Sequence, residues 1–289
     1  MTEETGVNTS FDANRSCEAL SLFIKRLKND ICHCLNTATG ETSGSLQHCK
    51  TKCNSLMQAL QATAFSEIRV AELLQKTAHL VLDYTYVDET VLVDEEFPQD
   101  TCNTRIYNIR ELLDEVCEVA LQCRPFPTLL EILGTELVEC ILWRKGALLY
   151  MYCHTLQSQD RLKQELAQYK KCLEDGVNFL EDMLKVRQPS SSCQPAPDDT
   201  MQLLNQGIFS DTHLLAMIYA GEMCYWYSCA QERGLFHQDD QHDSFTARHR
   251  GLKHLNSYLC AVKGPLKTLN WNAEKAEHYV SYLSRGLQQ

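Results

Sequence analysis

The residues with the strongest capacity for chemistry are soft ligands near the start of the chain. Cys32, His33 and Cys34 are followed by His48, Cys49 and Cys53. Thiolate and imidazole are the donors zinc prefers. The spacings are Cys-x-Cys and Cys-x-x-x-Cys, which match no standard zinc module, and Cys49 and Cys53 fall on an apolar helical stripe. Packing therefore takes precedence over ligation, because free cysteine is among the most buried residue types. The alternative reading is a metal-binding protein or enzyme built on Cys32, Cys34, His48 and Cys49, which bound zinc in stoichiometric amount would reveal.

Other arrangements fall short of a reaction. Cys153 and His154 are adjacent, and neighbours on a helix point about 100° apart, so they cannot pair as nucleophile and base. His213 sits in the first turn of a helix, where a capping or solvent-facing role is expected. Glu136 and Glu139 share a helical face, but no histidine follows at the spacing of a di-iron site. Gly40-Glu41-Thr42-Ser43-Gly44 places its serine fourth, not third as a nucleophile elbow requires. No catalytic residue, cofactor site or metal site is assigned.

The segment Asp88–Asp100 has another character. Asp94, Glu95 and Glu96 supply charge, and Phe97-Pro98 adds an aromatic next to a stiff residue. Phe97 precedes proline and is expected to be extended. An acidic strip with an aromatic anchor reads as a docking edge for a basic surface. Its competing reading is a solvated loop whose Phe97 tucks onto the protein's own helices.

Helices must position these groups. Leu20, Ile24, Leu27, Ile31 and Leu35 form one stripe, with Ser16 placed to cap it. Ser45 opens a second helix, with Cys49, Cys53, Leu56 and Leu60 inward, and Ser66 a third, with Ala71, Leu74, Ala78 and Leu82 inward. A break is expected from Asp88 to Asn103, with a hint of strand at Val91-Leu92-Val93, and then a helix from Thr104 to Cys123. Leu137, Ile141, Leu148, Met151 and Thr155 mark the next helix. Leu162, Leu166, Tyr169, Leu173, Val177, Leu180 and Leu184 mark the clearest one. Ser210 caps a helix through Leu214, Ile218 and Tyr225, Leu252 to Val262 form another ended by Gly264-Pro265, and Asn272 caps the last. The reading is all-α, one helical domain over 16–289 with eight or more helices. A disordered segment covers 1–15, and flexible loops lie near 88–103, 188–199 and 233–244.

Two helices carry glycine among aromatics: Trp143, Gly146 and Tyr150 in one, Gly221 and Trp226 in the other. Gly inside a helix costs roughly 1 kcal/mol relative to Ala, so close approach of a neighbouring helix is expected to offset it. The Trp143–Tyr150 pattern is tetratricopeptide-like, although no 34-residue period recurs.

Composition narrows the partners. The chain has 289 residues and a net charge of -11, which repels nucleic acid and anionic lipid. Its 15 cysteines and the absence of a basic, apolar leader after Met1-Thr2-Glu3-Glu4 suit a reducing cytosol. No run approaches the roughly 20 apolar residues of a membrane span.

Several blocks resemble a small metazoan family, the Rab-seven-interacting subunit of the Mon–Ccz complex. They are Asp83-x-Thr85-Tyr86 with Leu92-Val93-Asp94-Glu95-x-Phe97-Pro98-x-Asp100; Leu133-Gly134-x-Glu136-Leu137 continuing through Trp143-Arg144-x-Gly146-Ala147 to His154; and Gly207 to Trp226. Gly264-Pro265-Leu266-Lys267 and Trp271-Asn272 agree too, and the resemblance runs from about residue 66 to the end. It implies a non-catalytic adaptor. The Mon–Ccz pair is the exchange factor for the late-endosomal Rab GTPase. Members of the family associate with that pair and with the GDP-bound Rab. They support the Rab's stability and its recruitment to late endosomes and damaged mitochondria in mitophagy. No catalytic residue carries over.

Overall fold

A computed structural model describes residues 13–61, 66–123, 128–159, 161–187, 210–236 and 246–285. Ten α-helices and one 3-10 turn occur among them, with no strand. They are α1 (Ala13–Leu35), α2 (Gly40–Ala59), α3 (Glu67–Asp94), α4 (Cys102–Gln122), α5 (Leu129–Leu133), α6 (Thr135–Ser158), α7 (Leu166–Lys185), α8 (Asp211–Glu232), α9 (Ala247–Lys263) and α10 (Glu274–Arg285), with the 3-10 turn at Lys267–Leu269. The loop expected at 188–199, most of the N-terminal segment and most of the loop at 233–244 lie outside the described residues.

The sequence reads as one helical domain, and the structure parts into two compact units, Met1–Val138 and Glu139–Gln289. Periodicity reports which face of a helix is buried, but not which helices share a core.

In the first unit, α1, α2 and α3 pack on one another and α4 packs along α3. The predicted stripes meet there: Leu20, Ile24, Leu27 and Ile31 with Cys49, Cys53 and Leu56, and with Leu74, Ala78 and Leu82, all at most 7% exposed. Ser66 caps α3 as expected, its side chain accepting from the Arg69 N–H at 3.3 Å.

The expected break at Asp88 is not there. Helix α3 continues to Asp94, so Val91-Leu92-Val93 is helical and not a strand, and the connection shrinks to Glu95–Thr101. The cause is one stripe that carries on through the acidic residues. Ala78, Val81, Thr85 and Leu92 are each at most 2% exposed, and Arg105 from α4 binds the Asp88 carboxylate at 2.5 Å.

In the second unit, α8 is the central helix, packed by α7, α9 and α10. It is buried along most of its length, including Leu214, Met217, Met223 and Trp226. The helical glycines mark where neighbours close in. A Cβ on Gly146 would lie 2.6 Å from Leu180, and one on Gly221 would lie 2.5 Å from Leu255. Both meet side chains of a neighbouring helix, as the sequence requires, so α6 fits against α7 and α8 against α9. The aromatics beside them stack: Tyr150 on Tyr219 at 3.7 Å, Trp226 on Tyr150 at 5.4 Å, and Trp143 on Tyr219 at 5.7 Å. Trp143 stays partly exposed at the edge of that stack, whereas Trp226 is buried.

Candidate functional site

The acidic corner is built by the way α3 ends. The Phe97 N–H donates to the Leu92 carbonyl at 2.9 Å, and the Glu96 N–H to the Val93 carbonyl at 3.0 Å. This is the paired bond pattern of a Schellman cap, which needs a left-handed residue just past the helix. Glycine usually stands there. Here the residue is Glu96 with φ 52°, and Phe97 follows at φ 53°. The extended conformation expected of Phe97 from its place before Pro98 gives way to the cap. Leu92 and Phe97 complete the motif with an apolar contact position each, at 0% and 1% exposure.

Phe97 is therefore an anchor, but for its own chain. Its ring closes the α3–α4 corner and is not presented to solvent, and Pro98 is half-buried. Asp94, Glu95 and Glu96 stay exposed. Arg105 ties the corner together, donating to Glu95 at 2.8 Å and to Asp88 at 3.0 Å.

Sequence reasoning gave no exposed role to the apolar side chains that do reach solvent here. Tyr86 is 62% exposed and Val93 38% exposed on α3, and Tyr107 is 60% exposed on α4. A signal was available. Once α3 is one helix to Asp94, positions 72, 76, 79, 83, 86, 90 and 93 recur at three- and four-residue spacing along one outward face. Treating Asp88 as a break hid that face. Tyr107 pairs with Glu111, and this hydrogen bond raises its phenol pKa.

The cysteine and histidine candidates do not converge. Cys49 and Cys53 are buried in the first unit's core, and burial pushes both thiols up to about 11. His48 is exposed. Cys34 meets the Tyr84 hydroxyl at 3.4 Å. Among the described residues, no group of three histidine, cysteine or acidic side chains is placed to hold a metal ion. Cys153 is fully buried and raised by burial, next to Cys172, while His154 faces outward.

Three carboxylates of the second unit, Glu139 and Glu222 buried and Glu181 half-buried, act as structural ties. Glu222, 3% exposed, accepts from Tyr150 at 2.9 Å, Tyr279 at 2.6 Å and Lys275 at 2.6 Å, joining α6, α8 and α10. Glu139 accepts two bonds from Arg187, at 2.5 and 2.7 Å, and faces His213 at 3.4 Å. Of the two roles expected for His213, capping or solvent-facing, the second does not hold. The residue is 6% exposed, burial lowers its pKa, and its Nδ1 pairs with Ser210 Oγ at 2.8 Å. Ser210 spends its hydroxyl on that ring instead of on a helix N–H. Glu181 receives Arg250 and His254, each at 2.8 Å. Burial would raise its pKa, but these partners hold it far below the usual carboxylate range. Each carboxylate is committed to neighbours inside the fold, so none is arranged as an acid–base pair facing a substrate cleft.

No helix among the described residues is long and apolar enough to cross a membrane. No solved structure matches the chain. Residues 46–284 match the model of a family described as RAB7A-interacting MON1-CCZ1 complex subunit 1. Curated proteins of that name are similar. The Danio rerio protein is 39% identical over 73% of this chain and 78% of its own length. The Mus musculus protein is 34% identical over 85% of this chain and 90% of its own length, and the Homo sapiens protein 33% identical over 91% and 97%. The matched region opens about 20 residues before the point where the sequence resemblance starts and takes in most of α2. With a family model over residues 46–284 and relatives at 33–39% identity covering 73–91% of it, the chain belongs to the RAB7A-interacting MON1-CCZ1 complex subunit 1 family.

Proposed function

We propose that this protein is a non-catalytic adaptor that associates with a MON1-CCZ1 complex and with the GDP-bound form of RAB7A. The observation that carries the reading is the family match over residues 46–284, with relatives named for those partners. The helical architecture and the internal commitment of the buried carboxylates are consistent with a binding role. In this reading the protein acts in the cytosol, and its partners bring it to late endosomes and damaged mitochondria, where it supports the stability and recruitment of the GTPase during mitophagy.

The first unit offers the docking face. Asp94, Glu95 and Glu96 provide the field that steers a basic partner, and Tyr86, Val93 and Tyr107 provide exposed apolar area near it. Exposed charges act mainly on association and desolvated aromatics mainly on dissociation. The decisive experiment is capture of purified MON1-CCZ1, and separately of RAB7A loaded with GDP or a GTP analogue, on the immobilised chain. Retention of MON1-CCZ1 together with preference for the GDP form is the expected result. Retention of neither sinks the reading.

A further inference from the structure

The acidic corner does not account for a second feature of the first unit. A groove of about 440 Å³ runs between α2 and α3. Its floor is apolar, formed by Leu56, Ala59 and Leu73, and its rim carries Lys52, Lys76 and His79. Lys76 and His79 are exposed and lie one turn apart on α3, on the same outward face as Tyr86. Lys52 closes one end by pairing with Asp83. With Lys52 spent on Asp83, Lys76 supplies the positive charge left on this rim, in a chain whose net charge is -11.

We propose that the α2–α3 groove is a docking site for an acidic amphipathic helix of a partner protein. Three observations choose that occupant. Two adjacent helices leave a furrow of the shape that a third helix fills. The apolar floor takes the apolar stripe of such a helix, while the Lys76 ammonium faces a carboxylate on its flank and the His79 ring offers a hydrogen-bonding edge beside it. The groove spans Thr51 to Ala59 along α2, about 12 Å or two helical turns, so it reads two successive apolar side chains and their acidic neighbours. The proposal does not depend on which partner supplies the helix, and it is independent of the acidic corner.

The test uses the full chain and a labelled helical peptide of about 14 residues, with leucines along one stripe and glutamates on both flanks. Fluorescence anisotropy should show saturable binding that weakens with salt. A Lys76→Glu, His79→Glu variant that melts like the parent should bind at least tenfold more weakly. That variant should recover binding to a peptide whose flanking glutamates are replaced by lysine. Equal binding by parent and variant overturns the site, as does no binding at all. Equal binding of polyglutamate without leucines reduces the groove to a charged surface and also overturns it. Anionic phosphatidylserine vesicles sedimenting the parent, with the peptide left unbound, would assign the rim to a lipid headgroup instead.

Discussion

Glu96 holds a position where glycine is the usual residue, and its side chain is a carboxylate on the exposed corner. A non-glycine residue in the left-handed region costs about 1 kcal/mol or more. Glu96→Gly is therefore expected to raise stability by roughly 1 kcal/mol, read as a higher denaturant midpoint, while removing one charge from the corner. No gain in midpoint would mean that the cap is relaxed. Phe97 sets the opposite expectation. With its ring buried, Phe97→Ala should destabilise by about 3–5 kcal/mol. Reversal of Asp94, Glu95 and Glu96 to Lys should leave the melt nearly unchanged, since exposed pairs such as Glu95–Arg105 contribute about 1 kcal/mol at most. If Phe97→Ala melts like the parent and instead speeds dissociation from a partner, the ring is an interface anchor after all. The thiols add a check at the same scale. Burial raises Cys49 and Cys53 to about 11, so only about one in a thousand is thiolate at pH 8. The exposed Cys260 should be alkylated well before them under native conditions.

At the scale of elements, the glycine contacts explain why α6 and α8 lie so close to their neighbours. Gly146→Leu must displace Leu180, and Gly221→Leu must displace Leu255. Overpacking of that kind costs typically 1–3 kcal/mol. Thermal melts of both variants matching the parent would refute the close-packing account. Trp143→Ala should cost less than Trp226→Ala, because Trp143 is only partly buried and sits at the end of the stack. These contacts were legible in outline. Glycine within a helix among aromatics announced a close approach, but Leu180 and Leu255 lie 34 residues from their glycines, beyond the reach of any local pattern.

For the whole molecule, pH and charge are the informative variables. Glu181 has a folded-state pKa held below its ordinary value by His254 and Arg250, against the effect of its burial. A depressed carboxylate pKa contributes stability that is present above the ordinary carboxylate pKa, about 4.3, and is lost as pH falls below it. Between pH 6 and pH 3 the parent should therefore lose stability more steeply than Glu181→Gln, measured by urea unfolding at each pH. Parallel curves would show that this carboxylate does not govern acid stability. In binding, charge reversal at the acidic corner should slow association with a basic partner by about tenfold at low salt and flatten its salt dependence. Rates unchanged with both MON1-CCZ1 and GDP-bound RAB7A would remove the corner from the docking face.

The amino-acid sequence alone was enough to establish an all-α protein, most of its helices, the inward stripes and the family resemblance, because hydrophobic period and short motifs are local properties. It also pointed to Asp94–Pro98 as a segment of interest. Tertiary structure decided the rest. Charged residues at 88–96 look like a loop in a list of letters, yet a single long helix forms because Thr85 and Leu92 continue one buried stripe and Arg105 meets Asp88 from another helix. Whether Phe97 faces a partner or the core depends on a cap made by Leu92 and Val93 carbonyls, and on helix α4 returning past that corner. The same holds for His213, whose polar surroundings come from Glu139 some 74 residues earlier. Burial of a side chain is a property of what packs against it, and those partners lie too far along the chain for any local pattern to name.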